Sequence, residues 1–156
     1  MTTLDYFDSP APGRRPTRNR GFFAALPLLF ALAFIWPFSG MSGEKIQMKP
    51  NPSQTPAAQG TITVTQSKNG NTKLDTKVKN LAKPTGLKNP SSVYVLWIQP
   101  EGQAAKNEGQ ILVDADRDGS LKTETPYKHF QVFITPEDSP TVTSPSGPHV
   151  LSATVD

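Results

Sequence analysis

Residues 93–98 read Val-Tyr-Val-Leu-Trp-Ile, six apolar side chains in succession. Successive side chains of a strand point to opposite faces, so an extended segment of this composition has no face suited to water. Its β-branched and aromatic content favours extended backbone, and its length is that of a strand rather than a buried helix. It predicts a central strand buried on both faces, with Trp97 filling the space between two sheets.

The flanking sequence repeats the β signal. Thr61-Ile62-Thr63-Val64-Thr65 is a β-branched run, and Lys68-Asn69-Gly70-Asn71 is a hairpin turn because Asn-Gly readily adopts positive φ. Leu74, Thr76 and Val78 alternate with Asp75, Lys77 and Lys79, which describes a strand with one wet face. Residues 81–91 are a Pro/Gly/Asn-rich connection and 101–107 a loop. Gly109–Asp114 and Ser120–Thr125 predict two strands joined by Asp116-Arg117-Asp118-Gly119. Phe130, Val132 and Ile134 share the inward face of a strand at 129–135. A loop with prolines at 136, 140, 145 and 148 leads to a last strand at about 149–155. The expectation is an all-β domain over residues 61–156: an immunoglobulin-like two-layer β-sandwich of about seven strands. A closed barrel is the alternative arrangement of the same strands.

The N-terminal part is of another kind. Residues 21–38, GFFAALPLLFALAFIWPF, are eighteen residues without a charge, roughly 27 Å long as a helix and matched to a bilayer core. Arg14, Arg15, Arg18 and Arg20 precede it. Basic flanks stay inside, so this reads as a single transmembrane helix with residues 1–20 a disordered cytoplasmic tail and the C-terminal domain outside the cell membrane. A cleaved signal peptide and a buried soluble helix are the other readings; Pro27 argues against the last. Residues 39–60, rich in Pro and Ser, read as a flexible linker.

The net charge of +3 belongs to this leader and linker. Residues 61–156 carry ten Lys/Arg and ten Asp/Glu, so nucleic-acid binding has no electrostatic footprint there. The absence of cysteine excludes disulfides, thiolate metal sites and a lipid-modified cysteine.

The segment Val93–Pro100, with its Tyr94-Val95-Leu96-Trp97 core, resembles the Tyr-x-Leu-Trp strand in the extracytoplasmic domain of RskA-type anti-sigma factors. Phe130–Glu137 is similar to a strand of that family ending in a Pro or Glu-Pro element, and Ser139–Leu151, closing in Ser144-Pro145-Ser146-Gly147-Pro148-His149-Val150-Leu151, to the segment that follows it. The resemblance covers about residues 60–156 and implies a domain outside the membrane after one transmembrane helix. The family's cytoplasmic sigma-binding domain has no counterpart, because only about twenty residues precede the apolar run, without Cys or His. Sigma-factor inhibition is therefore not implied, and no functional residue transfers.

Few residues carry chemistry. Asp114-Ala115-Asp116-Arg117-Asp118-Gly119-Ser120 fits the first half of an EF-hand calcium loop, but position twelve is Thr125 rather than Glu and no helix flanks it. Asp114, Asp116 and Asp118 are thus either weak calcium ligands or the acidic turn of a hairpin. His129 and His149 lack metal-site spacing, and no G-x-S-x-G elbow occurs, so no enzymatic site is expected. Lys73, Lys77 and Lys79 form a basic stripe, either a solvated face or an attraction to an anionic envelope surface. Tyr94, Trp97, Tyr127, Phe130 and Phe133 are core residues or the lining of a groove. Two functions follow: a membrane-anchored binding or structural module of the cell envelope, with an envelope protein or the wall as partner, or the sensory part of an anti-sigma-like signalling system.

Overall fold

A computed structural model describes residues 43–156. They form eight antiparallel strands: β1 (Glu44–Pro50), β2 (Gln59–Gln66), β3 (Thr72–Lys79), β4 (Val93–Pro100), β5 (Lys106–Val113), β6 (Gly119–Thr125), β7 (Phe130–Glu137) and β8 (Leu151–Val155), with one 3-10 turn at Pro84–Gly86. The neighbour order β1-β2-β3-β6-β5-β4-β7-β8 returns to β1, so the sheet is a closed barrel.

This corrects the expected immunoglobulin-like sandwich of about seven strands. The extra strand is β1, which lies inside the segment read as linker. In Glu44–Pro50, Ile46 is half-buried and Met48 buried, whereas Lys45, Gln47 and Lys49 are exposed. That is strand alternation with only two apolar side chains to reveal it. β1 closes the sheet by changing partner midway: Glu44 to Met48 pair with Val64 to Gly60 of β2, and Lys49 and Pro50 pair with Ser152 and Leu151 of β8. β5 does the same on the far side, pairing with β4 up to Ile111 and with β6 through Leu112 and Val113. In a sandwich these strands would be edges with unpaired N–H and C=O groups; closure removes the edges. The transmembrane helix expected over 21–38 and the tail of 1–20 lie outside the described residues. Among the described residues no helix is long and apolar enough to cross a membrane.

Alternation along β4 decides what fills the interior. Tyr94, Leu96 and Ile98 point inward with Ile62, Leu74, Val78, Ile111, Val132, Ile134 and Leu151, all at most 2% exposed. An eight-stranded barrel is just wide enough for side chains to fill it. The Tyr94 hydroxyl donates to Ala82 O at 2.8 Å. Burial pushes its pKa up to about 12.

Trp97 is not part of this interior. With Val95 and Phe133 it forms a second apolar cluster on the outside of β4 and β7, packed with Val93, Ala105 and Val142. The proline-rich segment 138–150 supplies Val142 and acts as a strap over these side chains. A β-bulge helps to hold it. Register shifts between Leu96 and Trp97 opposite residues 107–109, where Gly109 has φ 126°. Asn107 Oδ1 accepts the Gly109 N–H at 2.9 Å, and Asn107 Nδ2 donates to Val142 O at 2.8 Å and Pro140 O at 3.0 Å. The far end of the strap is tied to the β1–β2 turn: the Asn51 N–H donates to Val150 O at 2.9 Å and its side chain to His149 O at 3.0 Å.

Candidate functional site

The acidic turn lies between β5 and β6, as the hairpin reading expects. Its positive φ, however, falls at Arg117 (66°) and not at Gly119. The Asp118 N–H donates to Asp114 Oδ1 at 2.9 Å, and the Asn80 N–H to Asp118 Oδ1 at 3.4 Å. Lys79 Nζ lies 3.9 Å from the other Asp118 oxygen. Two of the three carboxylates are thus engaged by the protein, while Asp116 is exposed. Among the described residues no three His, Asp or Glu side chains are grouped so as to hold a metal ion.

The histidines occupy different settings. His149 lies flat on Phe133, with ring centroids 3.9 Å apart and planes 11° from parallel. Desolvation there lowers its pKa. His129 is exposed at one end of the barrel, beside Phe130 and Asp156 in a groove of about 400 Å³. Tyr127 is half-buried, with Lys106 Nζ 5.0 Å from its ring centroid.

Glu137 is a feature the sequence did not announce. It is 1% exposed and faces no cation among the described residues. Four hydrogen bonds satisfy it instead. The Thr135 hydroxyl donates at 2.6 Å while accepting the Trp97 indole N–H at 2.8 Å. From the strap, the Ser146 N–H donates at 2.9 Å, its hydroxyl at 2.5 Å and the Gly147 N–H at 3.3 Å. Burial alone would raise the carboxyl's pKa; the donors from Ser146, Thr135 and Gly147 outweigh it, and the pKa is lowered. A side chain at Gly147 would collide with Pro136 O. This network fastens the strap to β7, a structural role.

The surface with functional character is the outer face of β1, β2, β3 and β6. Strand register lays it out in rows. One runs Lys45, Thr63, Asp75, Lys122; a second Gln47, Thr61, Lys77, Ser120; a third joins Thr65, Lys73 and Glu124. Lys49 and Lys79 stand at its margin, both exposed. Six of the lysines of residues 43–156 therefore share one face, among the described residues, with Asp75 and Glu124, and with Asp118 beside Lys79 at its margin. The formally neutral composition of 61–156 conceals this, because charge balance in the sequence says nothing about sidedness. The expected stripe of Lys73, Lys77 and Lys79 is here, on one side of β3. Lys45 and Lys49 were hidden in the presumed linker, and Lys122 lay on a strand read only as a short return.

Within this face Thr63, Thr65, Lys73, Asp75, Lys122 and Glu124 border a cleft of about 540 Å³. Asp75 Oδ2 pairs with Lys122 Nζ at 3.2 Å, while Asp75 Oδ1 is buried with no hydrogen-bond partner among the described residues. The face is thus rich in cationic donors, holds threonine hydroxyls between them, and contains one acceptor lacking a donor. It can bind anionic groups by charge and hydroxyl groups by hydrogen bonding. No protein-family model, curated protein or solved structure matches the chain.

Proposed function

We propose that the chain is a binding module of the cell envelope. In this reading the closed barrel is a rigid support working outside a membrane, and its β1-β2-β3-β6 face makes the contact. The observation that carries the reading is the gathering of Lys45, Lys49, Lys73, Lys77, Lys79 and Lys122 on one outer face. A filled interior favours an outer contact over a ligand held inside the barrel. Placement at the membrane rests on the arginine-flanked apolar run of residues 21–38.

Co-sedimentation of the purified chain with an isolated envelope fraction tests this. Binding should weaken with salt, because exposed charges more than a Debye length apart are screened. It should also be lost when Lys73, Lys77 and Lys122 are all replaced by Glu. Failure to sediment, or sedimentation indifferent to those replacements, refutes the reading.

A further inference from the structure

We propose that the lysine–threonine face binds an anionic polysaccharide, a hydroxyl-rich chain bearing carboxylate or phosphate groups. This rests on the binding-module reading and names the chemistry of its partner. Three features of the face point to it.

The first is that the cations are spread along the face. Lys45 and Lys122 close the two ends of one row, roughly 14 Å apart across four strands. Lys77 and Lys73 belong to the rows on either side, each about 7 Å away along β3. Charges so spread suit anionic groups repeated along a polymer better than one small anion, which would need them convergent.

The second is the chemistry between the cations. Thr63 and Thr65 present hydroxyls in successive rows, while that of Thr61 donates to Gln47 Oε1 at 3.2 Å, and Asp75 Oδ1 is an acceptor without a partner among the described residues. A buried acceptor left unpaired is unfavourable, so a ligand that donates there gains what the free protein lacks. Lys122 pairs with the other oxygen, Oδ2, and its side chain is 79% exposed, so a ligand reaches Oδ1 when that pair opens and the Asp75 carboxylate, 29% exposed, rotates outward. A sugar hydroxyl donates; a bare anion cannot. Leu112, 72% exposed, ends the row of Lys77 and Ser120 and offers an apolar contact to the C–H face of a sugar ring.

The third separates this partner from an anionic bilayer. The face curves with the barrel, so a lipid plane reaches only part of it, whereas a chain follows the rows. Asp75 and Glu124 lie within the cleft, where they oppose a continuous layer of phosphates and accept from hydroxyls.

The test titrates the full chain, held in uncharged micelles, with polygalacturonate, with neutral dextran, and with the same micelles carrying phosphatidylglycerol. Trp36→Phe is carried in every variant, so that fluorescence of the remaining tryptophan, Trp97, checks that each is folded. Polygalacturonate should bind, and raising salt from about 50 to 200 mM should weaken it roughly tenfold or more. Lys77→Glu with Lys122→Glu should weaken it by a similar or larger factor, since each lysine near an anionic surface contributes about fivefold and two are reversed. Lys83→Glu with Lys88→Glu, in the loop before β4, should leave it unchanged. Thr63→Val should weaken binding without altering its salt dependence. Equal binding of dextran overturns the proposal, as does tighter binding of phosphatidylglycerol lost in the same lysine variants. Absence of polygalacturonate binding by a chain that still sediments with the envelope fraction overturns the polysaccharide and leaves the binding module standing. Absence of both removes both.

Discussion

Glu137→Ala is the substitution to which the barrel should respond most sharply. The carboxylate accepts from Thr135 on its own strand and from the Ser146 N–H, the Ser146 hydroxyl and the Gly147 N–H on the strap. Hydrogen bonds to a charged group contribute about 1.5–3 kcal/mol each, but the strap donors can turn to water once released. The Thr135 hydroxyl cannot, because it is fully buried on β7, and an unsatisfied buried donor costs about 1–3 kcal/mol. Residual losses on the strap bring the expected destabilisation to about 3–5 kcal/mol, a large part of a small domain's stability. Urea unfolding of the purified chain measures it, with Trp36→Phe so that Trp97 is the sole tryptophan. Glu137→Gln should fall between the two, because its amide keeps one acceptor and turns N–H groups towards existing donors. Acid should act in the same direction. The folded-state pKa of Glu137 is lowered, so its contribution is complete above the ordinary carboxylate value and is lost as pH falls through the lower folded value. A loss under about 1 kcal/mol, with an unchanged acid limb, would mean that Glu137 does not fasten the strap.

Trp97→Ala should cost about 3–5 kcal/mol and expose residues 138–149 to protease before the barrel itself unfolds, because Trp97 packs beneath the strap and outside the interior; limited proteolysis checks the order, and simultaneous loss of both would place Trp97 in the main core. Millimolar calcium should leave the melting temperature unchanged, since Asp114 already accepts the Asp118 N–H within the turn and Asp118 the N–H of Asn80. A rise abolished by Asp116→Ala and retained in Asp75→Ala would establish a metal site there.

Strand identity was legible in the sequence wherever apolar alternation was strong. β2 to β8 each overlap an expected strand, but β5 begins at Lys106, inside the expected loop of 101–107, and β7 runs on through Pro136 to Glu137, inside the expected proline-rich loop. Closure was not legible, because it depends on β1, whose two core-facing side chains, Ile46 and Met48, sit among lysines and prolines. The position of Trp97 was missed for a related reason. A strand apolar on both faces calls for two apolar layers, and the second proved to be a proline-rich strap from the same chain, not a second sheet. For the candidate site the sequence offered the β3 lysines alone. Their companions Lys45 and Lys122 are distant in sequence and meet them only through strand register. Glu137 looked like any surface acid, since nothing local marks the strap donors that reach it.

β1 closes the barrel and thereby brings Lys45 and Lys49 to the lysine face. The chain has no cysteine, so a pair introduced as Lys49→Cys and Ser152→Cys reports on the β1–β8 seam alone. Directly opposed residues of antiparallel strands lie about 4.5–5.5 Å apart at Cα, within the range that a disulfide spans. Mild oxidation followed by mass spectrometry should therefore give a near-complete intramolecular cross-link, and the cross-linked protein should unfold at higher urea. A pair that stays reduced, or links only between molecules, would show residues 44–50 to be free of β8 and the barrel to be open.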